Sequence, residues 1–243
     1  MTESIFIVGL LKSGSTLLNR IMRPLAESTG LVSKAPANEL FKRGLELRDA
    51  RVTFEPFGHA YGGFRGMPWP LPPFAANRTV LLVRDPRDAL TSLYFSVAYS
   101  HRLPGATDSP SMLQAFDARR AEARAMSIDA FVLEEAAGHA RHIKKTLANL
   151  PAHRLYRYED VIFDKLTWTR DMLDYLGLSV AERLVGRVVG MNDVTPSEES
   201  PLEHIRRVTP GDHRLKLRAE TIATLDDRFK GIMRRLGYAG KAP

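Results

Sequence analysis

The sequence contains no cysteine. Disulfides, iron–sulfur clusters, zinc–thiolate sites and a cysteine nucleophile are therefore excluded. Long hydrophobic runs are also missing. The apolar stretch Ile5 to Leu11 stops at Lys12, well short of the roughly 18 to 20 residues of a membrane span. The opening Met1-Thr2-Glu3-Ser4 lacks the basic residues that begin a secretion signal, so the expected compartment is the cytoplasm. Acid is in deficit: 28 Asp plus Glu stand against 35 Lys plus Arg, a formal charge of +7. That balance suits anionic partners, whether nucleotides, nucleic acid or an acidic membrane surface.

What is present reads as globular. The 243 residues are 44% hydrophobic and 26% charged, which argues against disorder and against a coiled coil. There is no internal repeat, low-complexity tract or evident boundary, so one domain over 1–243 is expected.

Two segments carry the pattern strand, loop, helix. Ile5-Phe6-Ile7-Val8 is a short β-branched and aromatic run suited to a parallel strand buried on both faces. After Gly9 to Thr16, apolar residues recur at helical spacing: Leu17, Leu18, Ile21, Met22 and Leu25. Thr79 to Val83 forms a second strand. Asp85 as N-cap, Pro86 at the first helical position and Asp88 as capping-box acid then start a helix over about 89–99. A third strand is expected over 153–158. Further helices are expected over 111–126, 128–150 (with Gly138 a candidate break), 166–176, 180–189 and 218–236. Segments 58–77 and 194–211 read as irregular. The alternation argues for an α/β fold, a central mostly parallel sheet flanked by helices, with ligands at the carboxyl ends of its strands.

Gly9 and Gly14 have the G-x-x-x-x-G spacing of a P-loop. Backbone N–H groups and the positive end of the next helix would hold an oxyanion there. A P-loop NTPase next requires lysine. Here Ser15 and Thr16 follow, and the lysine comes earlier, at Lys12. In the second loop, Arg84 closes a strand and Ser92 lies two turns into its helix. Arginine offers a planar fork of donors suited to phosphate.

Lys12-Ser13-Gly14-Ser15-Thr16 resembles the 5′-phosphosulfate loop, P-K-[ST]-G-[ST]-[ST], of sulfotransferases that use 3′-phosphoadenosine 5′-phosphosulfate (PAPS). Leu11 replaces the proline, and Leu17 stands where cytosolic members carry an adenine-stacking tryptophan. Arg84 to Tyr94 resembles the family's 3′-phosphate motif, R-[ND]-P-[RK]-D-x-x-x-S-x-[YF]. Tyr158-Glu159-Asp160 is similar to its Y-E-D segment. Arg206 to Arg214 is similar to its R-K-G-x-x-G-D-W-K loop, with Val208 and His213 departing from the glycine and the tryptophan.

The resemblance implies a P-loop NTPase-like sulfotransferase fold and transfer of a sulfuryl group from PAPS to a hydroxyl or amine, leaving adenosine 3′,5′-bisphosphate (PAP). It assigns Lys12, Ser13, Gly14, Ser15 and Thr16 to the 5′ end, Lys12 also as the charge that stabilises the leaving phosphate. It assigns Arg84, Ser92, Arg206 and Arg207 to the 3′-phosphate and Tyr158 to the adenine. No metal is called for. A general base is expected. His59 is the only histidine between the two loops and lies 25 residues before Arg84, so it ranks first, ahead of Glu39 and then Glu55.

Six of the chain's 20 aromatics fall between Phe54 and Phe74. They suggest an aromatic or apolar small-molecule acceptor. Two other readings remain in view. One is an atypical P-loop kinase or NTPase, supported by the glycine spacing. The other is a basic nucleic-acid-binding domain, which the charge permits but no recognition signature supports.

Overall fold

The computed structural model describes residues 2–43, 45–100, 110–193 and 209–238. Backbone proximity divides the chain into two compact units. The first takes the described parts of 1–41, 45–84 and 145–194; the second takes those of 42–44, 85–144 and 195–243.

The first unit holds a five-stranded parallel sheet in the order β2-β3-β1-β4-β5. The strands are β1 (Ile5–Gly9), β2 (Val32–Lys34), β3 (His59–Phe64), β4 (Thr79–Val83) and β5 (Arg154–Arg157). Both expected central strands are wholly buried, which explains their continuous apolar runs. Helix α1 (Ser15–Glu27) returns from β1 and buries Leu18, Ile21, Met22, Leu25 and Ala26. Its apolar face meets Trp168 and Met172 of α7 (Lys165–Tyr175) and Val185 and Val188 of α8 (Glu182–Asn192) in one core. Short helices α2 (Pro36–Lys42) and α6 (Tyr158–Val161) follow β2 and β5. The chain leaves β1 toward β2 and β3 on one side and crosses to β4 and β5 on the other. The β1–α1 turn therefore sits at the switch point of the sheet, where such folds bind ligands.

The stretch 58–77, read as irregular because of its glycines and prolines, contributes β3. Gly62 lies inside that strand because a Cβ there would strike the Asn19 amide of α1. Asn19 fills the space instead. Its Oδ1 accepts from Gly63 N at 2.7 Å, and its Nδ2 donates to Ser15 O at 2.6 Å.

The second unit is helical. It contains α3 (Pro86–Phe95), α4 (Pro110–Ala125), most of α5 (Ile128–Asn149), α9 (Asp212–Lys216) and α10 (Ala219–Arg235). Helix α5 continues through Gly138 unbroken. Tyr94 packs edge-on to Phe131, and His139 edge-on to Phe229. No helix among the described residues is long and apolar enough to cross a membrane.

Candidate active site

The turn after β1 closes tightly on the helix it starts. A Cβ on Gly9 would lie 2.6 Å from Ser15 Cβ, so only glycine fits. Lys12 adopts φ 61, the left-handed region, which costs a side-chain-bearing residue about 1–2 kcal/mol. Strain of this kind concentrates where a side chain must be aimed. Ser13 is fully buried. Its N–H and hydroxyl both donate to Leu10 O, at 3.1 and 2.7 Å. Its hydroxyl ties the turn together.

Gly14 is the N-cap of α1, in the left-handed conformation with φ 91, and no side chain caps that helix. The first intrahelical bond runs from Leu18 N to Gly14 O. The N–H groups of Ser15, Thr16 and Leu17 precede it and have no partner within the helix. The first turn also carries no acidic residue. The positive end of a 13-residue helix is thus presented with its donors open, the arrangement an oxyanion needs.

Arg84 follows β4 directly and is 8% exposed. Its guanidinium carbon lies 4.6 Å from the centre of the Tyr158 ring. Register explains the pairing: Val83 is opposite Arg157, so the next residue of each chain meets at the sheet's edge. The same Tyr158 ring meets the first loop, since a Cβ on Gly14 would come within 3.0 Å of it. Buried Tyr158 therefore touches both anion-binding candidates, Gly14 and Arg84. Its predicted placement at a strand end becomes the first residue of α6.

Helix α3 begins differently. The Asp85 carboxylate caps it by accepting from Arg87 N at 2.9 Å. Arg87 also donates to Asp85 at 2.6 and 3.0 Å and to Asp226 at 2.6 Å. Ser92 lies on the second turn, half-buried, next to buried Thr91. Asp88, expected to cap its own helix, accepts from Gly211 N at 2.7 Å and from His213 N and Nδ1 at 3.0 and 2.6 Å. It anchors the start of α9, a role that sequence reasoning missed because the partners are more than 120 residues apart. Arg206 and Arg207 lie outside the described residues.

A cavity of about 450 Å³ opens on the β3 and β2 side of β1. Ser15 and Thr16 line it, and so does Glu39 of α2. His59 is elsewhere. It opens β3, one residue before Ala60, which is level with the first residue of β1. Its N–H donates to Ser4 Oγ at 3.1 Å, and its Nδ1 lies 2.9 Å from Phe57 O. From that level to Gly9 the strand rises about 16 Å, so the histidine sits at the amino ends of the strands and the phosphate loop at the carboxyl ends. Glu55 shares the amino end, its N–H donating to Tyr61 Oη at 2.8 Å. Of the clustered aromatics, Phe57 and Phe74 are exposed and the others pack together. Phe54 packs on Phe6, Tyr61, Phe64 and Trp69, and Phe74 on Phe6. None of them lines the cavity.

Comparison with known proteins identifies the fold and the family. The family model for the sulfotransferase domain matches residues 2–237. A search of curated proteins finds no match. Among solved structures, mouse sulfotransferase SULT7A1 complexed with PAP is similar, with a TM-score of 0.60, 14% identity and coverage of 96% of this chain and 85% of that one. Retinol dehydratase in complex with retinol and PAP has a TM-score of 0.51 at 14% identity, over 100% of this chain and 84% of that one. The same enzyme with androsterone and the inactive cofactor PAP has a TM-score of 0.53 at 15% identity, over 99% and 82%. At such identities these likenesses establish the fold, and the family model supplies the membership: the chain belongs to the sulfotransferase domain family.

Proposed function

We propose that this chain transfers a sulfuryl group from PAPS to a hydroxyl or amine of a small-molecule acceptor. The observation that carries the reading is the open amino end of α1, joined through the Tyr158 ring to a buried arginine. One end suits the donor's 5′ anion and the other its 3′-phosphate. PAPS supplies an activated sulfuryl group whose departure leaves negative charge on a phosphate oxygen.

The chain's own groups divide the remaining work. N–H groups at the start of α1, with the Ser15 and Thr16 hydroxyls, hold the 5′-phosphate. Ser13 keeps the turn in shape. Lys12 sets an ammonium against the charge that grows as the bond breaks, an interaction stronger in the transition state than in the ground state. Arg84 and Ser92, with Arg206 and Arg207, bind the 3′-phosphate, and Tyr158 contacts the adenine. For the proton of the acceptor we favour Glu39 over His59. Glu39 lines the cavity beside Ser15 and Thr16, whereas His59 starts at the opposite end of its strand.

Incubation with isotopically labelled PAPS and an acceptor panel tests the reading. Label should move to an acceptor with one PAP released per transfer. Magnesium-dependent phosphoryl transfer from ATP, with none from PAPS, would make the chain a kinase instead. The base is tested separately. Glu39→Gln should lower kcat by about 10²-fold or more, within the range for general-base removal, and His59→Gln should leave kcat near the parent value. The reverse pattern restores His59.

A further inference from the structure

The cavity beside the phosphate loop bears on the acceptor's chemistry, and none of the aromatics of 54–74 lines it. Sheet order separates two sides of the site. Arg84 and Tyr158 follow β4 and β5, on one side of β1; the cavity lies on the other side, against β3 and β2. A donor spanning the first loop toward Arg84 therefore leaves the cavity to the acceptor. That step rests on the PAPS reading above.

The wall of the cavity is polar. Among the described residues its hydrophobic side chains are Ile7, Ala35 and Ala60. Gly62 and Gly63 leave room for amides: a Cβ on Gly62 would strike Asn19, and one on Gly63 would lie 3.1 Å from Asn38 Nδ2. Among the described residues, every charged side chain on the wall except Glu39 is a cation: Arg20, Arg23, Lys34 and Arg65. They come from α1, from the end of β2 and from the residue after β3, so no single helix pattern accounts for their meeting. Arg23 is held by Glu27 at 2.9 Å. Arg20 and Lys34 are exposed at the rim and carry the argument. A neutral or greasy acceptor gains nothing from such a wall. An acceptor bearing its own anion is drawn in and oriented by it, with a hydroxyl left for Glu39.

We propose that the acceptor is a polar, hydroxyl-bearing molecule that already carries an anionic group, a carboxylate or a sulfate ester, bound by Arg20 and Lys34 at the rim of this cavity. Three probes test this on PAP-saturated protein, where the phosphate loop is filled: glucuronate, glucose 6-sulfate and methyl glucoside, titrated by calorimetry. Both anions should bind about tenfold more tightly than the neutral sugar, and the tighter of the two names the anion. Arg20→Gln and Lys34→Gln should each weaken anion binding about two- to fivefold, as befits exposed ion pairs. Affinity for PAP and for the neutral sugar should not move, and circular dichroism of these surface variants should match the parent. Raising salt should erase the preference.

Equal or tighter binding of methyl glucoside would overturn the proposal. So would the absence of measurable anion binding, or anion binding that ignores both substitutions. Failure of PAP to bind would instead sink the donor reading. The anion titrations would then be run without PAP, where dependence on Arg20 and Lys34 still decides the cavity's chemistry.

Discussion

Two turns in this chain share one outline, a buried parallel strand running straight into a helix, yet they present different donors. At β1–α1 the cap is a left-handed glycine, the first turn has no acid, and the helix's own donors stay open. At β4–α3 the cap is a carboxylate that accepts from the helix, and Arg87 braces it. A helix end already satisfied by Asp85 has little left for a phosphate. The second turn therefore depends on Arg84, which precedes the cap and rests on Tyr158. One turn offers backbone donors and a helix dipole, the other a side chain, and substitutions should separate them.

The largest effect belongs to the first turn. Lys12→Ala should lower kcat about 10²- to 10³-fold, some 3–4 kcal/mol of transition-state stabilisation, while the dissociation constant of PAP changes far less. Steady-state kinetics paired with calorimetry read the two quantities. An equal loss in both would make Lys12 a binding residue like Arg84 and erase the distinction.

Capping is the next lever. Gly14→Ala forces a Cβ against Tyr158 at 3.0 Å with φ at 91, so it should cost about 1–3 kcal/mol of stability and weaken PAP binding sharply. Asp85→Ala removes an ordinary cap and should cost about 1 kcal/mol, with a smaller loss of PAP affinity than Gly14→Ala. Urea melts with and without PAP compare them. If Asp85→Ala proves the more damaging to binding, the contrast between the turns is wrong.

Acid sharpens the comparison by separating scaffold from site. Burial in the second unit, aided by the nearby charge of His142, pushes the His139 pKa down to about 4 from its ordinary 6.5. The unfolded chain takes up that proton first. Stability from this group is complete above pH 6.5 and is lost as pH falls from 6.5 toward 4. The expected loss at pH 5.5 is about 1.4 kcal/mol. His139→Gln should flatten the dependence in urea melts at pH 7.5 and 5.5. An activity loss over the same window that survives in the variant then belongs to the loops.

The parts legible in the sequence are those whose causes are local. β1 and β4 show as apolar runs, and Lys12, Gly14, Arg84 and Ser92 lie within one turn motif each. What escaped depends on partners distant in the chain. β3 reads as irregular in the sequence because Gly62 and Gly63 are strand glycines only once Asn19 of α1 is against Gly62 and bonded to Gly63. His59 looked well placed by counting back from Arg84, but strand direction puts it at the amino end of the sheet. Asp88 reads as a cap for its own helix until Gly211 and His213 arrive from the far end of the chain. The cations of the cavity wall come from α1, from β2 and from the residue after β3, so no single helix or strand pattern contains them. The aromatics of 54–74 were visible, but their packing around Phe6 was not.

The claim on which the rest depends is that Arg84 reads a 3′-phosphate while α1 holds the 5′ end. Calorimetric titration of PAP and of AMP into the parent protein and into Arg84→Ala tests it most directly. The account predicts that the parent binds PAP at least about tenfold more tightly than AMP, consistent with a charge-assisted arginine–phosphate contact, and that Arg84→Ala abolishes the preference while AMP affinity persists. Equal affinity of the parent for the two nucleotides, or a preference that survives the substitution, would contradict it.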